Sequence, residues 1–176
     1  MPSRRAFIPL ILLPACTRPP AWQPLPPQRP DPTGPDPISH AFLIYFNSPE
    51  ADAHVLSGIA TGPGAGHRRW TADTFALQVQ ALPAGPWLVR LQFEIIQRFI
   101  NELGPFTVSV SVNRRPVASH FYDAHGDHDF SAPVPPSLLT PGAAARIDVS
   151  SDRVWVSPED AARLSLRLIA AGFVRP

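Results

Sequence analysis

From about Ile38 to the end of the chain, apolar and polar residues alternate with a period of two. That spacing turns one face of a strand to a core and the other to water. Residues 88–95 place Val89, Leu91, Phe93 and Ile95 on one face and Arg90, Gln92 and Glu94 on the other. Residues 74–81 do the same with Phe75, Leu77, Val79 and Ala81 inward. Residues 105–112 set Phe106, Val108, Val110 and Val112 against Thr107, Ser109 and Ser111. Leu164, Leu166 and Leu168 alternate with Ser165 and Arg167, and shorter runs fall at 40–46, 117–122, 128–132, 145–149 and 153–156. Glycine and proline punctuate them at 62–64, 83–86, 113–116, 125–126 and 141–142. Many short one-sided strands at this spacing predict an all-β domain over residues 38–176, an antiparallel two-sheet β-sandwich of jelly-roll type. No ten-residue segment shows the 3.6 spacing of a helix. Ser157, with Pro158 behind it, is expected to cap a single helical turn.

The first 37 residues follow different rules. Arg4 and Arg5 precede an apolar run at 6–15, the layout of an export signal. The run is about half of what a helix needs to cross a bilayer. Leu13-Pro14-Ala15-Cys16 resembles a bacterial lipobox, in which a small residue precedes the cysteine that is acylated and becomes the N-terminus. Cys16 is the chain's only cysteine, which excludes an intrachain disulfide and suits a lipidated residue better than a stray thiol. Ser3-Arg4-Arg5-Ala6-Phe7-Ile8 resembles a twin-arginine signal, though the same layout also serves the general secretory route. Thr17, in place of Asp after the cysteine, favours the outer membrane over the inner one by resemblance to lipoprotein sorting. Residues 17–37 hold nine prolines, which close off helix and central strand. Such a linker reaches roughly 65 Å when fully extended. The expectation is a signal at 1–16, a stiff spacer at 17–37 and one domain at 38–176. An acyl anchor would hold them to a bacterial membrane, facing the periplasm.

Composition removes several kinds of chemistry. The net charge is +1, so the basic footprint of a nucleic-acid binder is absent. All 15 basic residues are arginine, which excludes a Schiff-base or P-loop lysine. No nucleophile-elbow, zinc-protease, dinucleotide or calcium-loop motif occurs, and no cofactor is implied.

Four landmarks occur in order: Gly66-His67-Arg68-Arg69-Trp70-Thr71, the Val-Asn-Arg-Arg-Pro-Val turn at 112–117, Leu138-Leu139-Thr140-Pro141-Gly142, and the Ser-Pro-Glu-Asp segment at 157–160 leading to Arg163 and Leu164. That order resembles the small jelly-roll modules attached to some bacterial glycosyltransferases and cell-envelope proteins. Those modules carry a G-R-W-T/S turn, a V-N-G hairpin, an L-L-x-P-G loop and a terminal S-P-x-x-D-x-R-x-L-G segment. The resemblance spans about residues 55–173, with Arg114 in place of the hairpin glycine and Ser165 where a glycine is common. It implies a carbohydrate-associated or structural module and no catalytic residues.

Two clusters invite a chemical reading. His67, Arg68, Arg69 and Trp70 offer guanidiniums beside an indole, suited to stacking on a sugar face and to bidentate bonds with an anionic glycan. The competing reading is a core tryptophan at a strand start, with arginines in a surface loop. The second cluster is His120, Asp123, His125, Asp127, His128 and Asp129, donors that suit a divalent ion. With His125-Gly126 as a two-residue hairpin turn, Asp123 faces His128, Tyr122 faces Asp129 and Phe121 faces Phe130. The ligands then divide between two faces, which favours a polar hairpin tip over a metal site. The leading expectation is a non-catalytic, lipid-anchored envelope module that binds a glycan or an envelope protein. The alternatives are a metal-dependent enzyme built on the 120–129 segment and an assembly lipoprotein whose sheet edge pairs with another chain.

Overall fold

A computed structural model describes residues 42–62, 67–80 and 82–176. The expected export signal with Arg4, Arg5, Leu13 and Ala15, the expected acylation site Cys16 and the expected spacer at 17–37 lie outside the described residues, as does Ala81. In chain order the elements are β1 (Phe42–Tyr45), β2 (Val55–Ile59), β3 (Arg69–Val79), β4 (Trp87–Ile95), α1 (Gln97–Leu103), β5 (Phe106–Val112), β6 (Arg115–Tyr122), β7 (Gly126–Val134), β8 (Ala145–Ser151), β9 (Trp155–Val156), β10 (Arg163–Leu164) and β11 (Arg167–Val174).

The strands form the two layers of an antiparallel β-sandwich. One layer runs β1-β11-β4-β7 and the other β2-β3-β8-β5-β6, with β9 and β10 as a small separate hairpin. Strand β3 belongs to both layers. Its first residues, Arg69 and Trp70, pair with Leu168 and Arg167 of β11, and residues 74–79 pair with β8. Alternation produces this packing directly. Val89, Leu91, Phe93 and Ile95 of β4 are fully buried and meet the inward residues of β5, Phe106, Val108, Val110 and Val112. Burying each such side chain contributes roughly 1.5–3 kcal/mol. In β11 a bulge falls between Leu168 and Ala170, so Ala171 and Phe173 take up the inward phase while Ile169 is left at the outer face. Gly172 lies so close to β1 that a Cβ there would collide with the carbonyl oxygen of Phe42.

The structure corrects two expectations. Strands β6 and β7 do not form a hairpin. β6 pairs with β5 through the two-residue turn Asn113-Arg114, β7 pairs with β4, and residues 123–125 cross between the layers. The tight turn at Asn113 fills one edge of β6, so the His-Gly signal at 125–126 serves a crossover. Phe121 is accordingly 67% exposed while Phe130 is fully buried, and they share no face. A helix also exists. Phe99 is buried and Ile96, Ile100 and Leu103 pack on the core, which is helical spacing over only two turns. Gly104 at φ 79 ends it, its N–H donating to Ile100 O at 3.0 Å. The single turn expected behind Ser157 is present: Ser157 Oγ accepts from Glu159 N at 3.3 Å and Ser157 O accepts from Ala161 N at 3.0 Å, within the connection between β9 and β10 that Ser157 N closes by donating to Ala162 O at 2.9 Å.

Candidate functional site

The four consecutive residues at 67–70 point to different places. Arg69 is buried at 5% exposure. Its Nε donates to Phe46 O at 2.9 Å, and its Nη1 donates to Asp52 Oδ1 at 3.0 Å and Ala60 O at 3.2 Å. It ties the segment between β1 and β2 to β3 and offers no free face. Trp70 is half-buried, packs on Phe99 at 5.8 Å between ring centroids, and carries the Arg167 guanidinium 5.5 Å above its ring. His67 is exposed.

Arg68 points outward and brings the two sequence clusters together. It holds Asp127 bidentately, Nη1 to Oδ1 at 2.6 Å and Nη2 to Oδ2 at 3.1 Å. The same Nη1 lies 2.8 Å from Glu94 Oε2, which Arg167 Nη1 approaches at 3.0 Å from the other side. The register explains the convergence, since Arg167, Glu94 and Asp127 face one another across β11, β4 and β7. In the next row Gln92 faces Asp129, and Asp129 takes a bidentate contact from Arg90 and a bond from Gln92 Nε2 at 3.3 Å. The hydrogen bonds of Arg68 to Glu94 and Asp127 raise its own pKa, and Asp129 does the same for Arg90. Both cations are fixed in charge. Such part-exposed pairs contribute at most about 1 kcal/mol each to stability, so their main effect is to hold the groups in place.

Between these rows lies a shallow cavity of about 360 Å³, lined by Arg68, Gln92, Asp127, His128, Asp129 and Ile169. The bulge in β11 supplies Ile169, its one apolar side chain. Sequence inspection named Arg68, Asp127, His128 and Asp129 and missed Gln92, Glu94, Ile169 and Arg167. Gln92 and Glu94 were legible as the outward phase of β4. Ile169 depends on a bulge that leaves no trace in the pattern.

The six candidate metal ligands do not converge. Asp127 and Asp129 face outward with their arginines. His128 borders the cavity but is engaged elsewhere, its Nε2 at 2.9 Å from Ala124 O and its ring 4.9 Å from that of Tyr122. His120 packs on Phe130 at 4.7 Å between centroids, and Asp123 and His125 are exposed on the crossover. Among the described residues, no three His, Cys, Asp or Glu side chains gather closely enough to hold a metal ion.

No protein-family model and no curated protein matches the chain. Among solved structures it is similar to a family 35 carbohydrate binding module from an environmental isolate, at 9% identity and TM-score 0.49, over 76% of this chain and 93% of that one. It is also similar to the CBM36-1 domain of a multidomain xylanase from the hindgut metagenome of Trinervitermes trinervoides, at 7% identity and TM-score 0.45, over 76% and 96%. A third is a Paenibacillus sp. cycloisomaltooligosaccharide glucanotransferase complexed with cycloisomaltoheptaose, at 13% identity and TM-score 0.41, over 74% of this chain and 18% of that one.

Proposed function

We propose that this chain is a non-catalytic recognition module of the bacterial envelope that binds a glycan in the Arg68–Asp129 cavity. In this reading residues 1–16 are the signal, an acylated Cys16 holds the chain to a membrane, the outer one favoured, residues 17–37 are the spacer and 38–176 the domain. One observation carries the binding function: planar donors and acceptors, already fixed by cross-strand pairing, ring a shallow cavity with one apolar wall. A sugar hydroxyl both donates and accepts. Asp127 and Asp129 supply the acceptors, Arg68 and Gln92 the donors, and Ile169 a surface for ring C–H groups. Because these side chains are immobilised before the ligand arrives, little ordering remains to oppose binding. Each lining carboxylate is matched by a guanidinium, an arrangement for recognition more than for proton transfer.

The test is a glycan array probed with the purified protein and with Arg68→Ala and Asp129→Ala. The wild type is expected to retain a defined set of glycans. Each variant is expected to lose about ten- to a hundredfold in affinity, as for a hydrogen bond to a charged group worth about 1.5–3 kcal/mol. Retention of no glycan, or full retention by both variants, sinks the reading.

A further inference from the structure

A second charged surface lies at the opposite end of the sandwich. Val112 of β5 meets Ile147 of β8 there, Val79 of β3 meets Ala145, and Val174 of β11 meets Leu88 of β4. Phe42, at the start of β1, pairs with Phe173, so the segment leading back to Cys16 joins the domain at this end. The β5–β6 hairpin turns here, and Asn113 Nδ2 donates to Leu138 O at 2.6 Å. The adjoining loops, with Pro83, Pro136, Leu139 and Pro141, enclose Trp87. Arg175 lies across that indole, 3.9 Å from its ring centroid, and donates to Pro86 O and Ala84 O, each at 3.1 Å.

Four guanidiniums therefore share this end: Arg146, which is paired with Asp148 at 2.7 Å, and Arg114, Arg115 and Arg175. The last three carry the argument. Among the described residues none of them has a carboxylate within ion-pair distance, and the only other arginine so placed, Arg153, sits at the far end beside Pro105. The segments that build the surface, 82–87, 113–116, 135–146 and 174–176, contain no Asp or Glu. Backbone geometry adds a second, independent observation. Asn113 and Arg114 hold φ of 50 and 65, the paired left-handed conformation of a turn that favours glycine at its second position. The hairpin thus keeps a cation where the backbone prefers no side chain.

We propose that this end docks on a layer of anionic lipid headgroups, the surface of the membrane to which Cys16 is proposed to hold the chain. The inference rests on that anchoring reading. Guanidiniums bind phosphate oxygens bidentately. Proline-rich loops carry few N–H groups to be stripped of water, and an anionic leaflet attracts each nearby arginine. Docking in this way points the Arg68 cavity away from the membrane.

The experiment uses the full chain carrying Cys16→Ser, so that no acyl chain is present, in sedimentation with vesicles. Arg4, Arg5, Arg18, Arg29 and the apolar run at 6–15 are common to every variant, so the comparison between variants reads the domain. Binding is expected to be tighter on phosphatidylcholine vesicles containing phosphatidylglycerol than on phosphatidylcholine alone, and the difference should fall as salt rises. Arg114→Gln, Arg115→Gln and Arg175→Gln should each weaken it about fivefold, and together about a hundredfold. Arg153→Gln should leave it unchanged. Arg114→Gly should weaken binding while relieving the turn, which separates loss of docking from loss of fold. Equal binding to both vesicles, an unaffected triple variant, or an equal loss with Arg153→Gln overturns the proposal. So does displacement by millimolar glycerol phosphate, which would make the site a discrete anion pocket. Mass spectrometry of the wild-type protein tests the anchor separately. A missing acyl chain there removes the address and leaves the vesicle result to stand by itself.

Discussion

Arg69 and Tyr122 show how much of a residue's role lies in partners distant along the chain. In the sequence Arg69 is one of two adjacent arginines before a tryptophan. In the fold Arg68 and Arg69 diverge because neighbours on a strand face opposite ways, so one becomes a surface ligand for Asp127 and the other an internal strut. The strut's acceptors, at Phe46, Asp52 and Ala60, come from the segment before β3, and no local pattern announces them. Tyr122 sits between the layers with its ring 5.2 Å from that of Phe93, and its buried hydroxyl has no hydrogen-bond partner. Burial, with the charge of Asp129 adding to it, pushes its pKa up to about 12. The unfolded chain ionises this group near pH 10, so its stabilising contribution is complete below about pH 10 and is lost as pH rises through about 12. In a Tyr45→Phe background the phenolate absorbance should report that late titration directly. Tyr122→Phe should be neutral or stabilising by up to about 1 kcal/mol, since it removes an unsatisfied group, and should flatten the alkaline loss in denaturant midpoint. A loss above 1 kcal/mol would mean the hydroxyl has a partner.

At the scale of elements, legibility followed periodicity. β4 and β5 carry strict alternation, and their limits match the sequence reading to within a residue. β2 was missed because Val-Leu-Ser-Gly-Ile does not alternate. It pairs with β3 through two register shifts, and Gly58 takes φ 71 where a Cβ would strike Thr74 O. The 120–129 segment misled because turn chemistry is local while strand pairing is not, and the pairing with β5 and β4 prevailed over the His-Gly signal. The Asn113-Arg114 hairpin is the converse case, where local chemistry and pairing agree except at one residue. Left-handed backbone costs a side chain about 1–2 kcal/mol, partly offset by the greater chain entropy that glycine loses on folding. Arg114→Gly should therefore stabilise the domain by about 0.5–1 kcal/mol, seen as a rise of a few degrees in Tm. A fall in Tm would mean that the arginine supports the turn.

At the scale of the molecule, composition gave the net charge but could not give its placement. Glu94, Asp127 and Asp129 pair with arginines at the Arg68 end, while among the described residues three of the four arginines without an ion pair, Arg114, Arg115 and Arg175, lie at the end where Phe42 begins β1. Only the pairing of β1 with β11 and the direction of β5 place those features, and neither is written in any short motif. The proposed anchor predicts that Cys16→Ser moves the protein from the membrane fraction to the soluble fraction of the cells that make it, since acyl chains dominate attachment at about 0.8 kcal/mol per buried methylene. Continued membrane residence at high salt would count against it. The pairing of β1 with β11 also has a mechanical consequence. Hydrogen bonds between these strands run across the chain direction, and Phe42 lies at the end of the sandwich opposite the Arg68 cavity. With the proposed anchor pulling at Phe42 and the proposed ligand held at Arg68, tension would run along the strands. It would strain all the β1–β11 bonds at once in shear instead of opening them one by one. A domain anchored and loaded in that way would resist a pull.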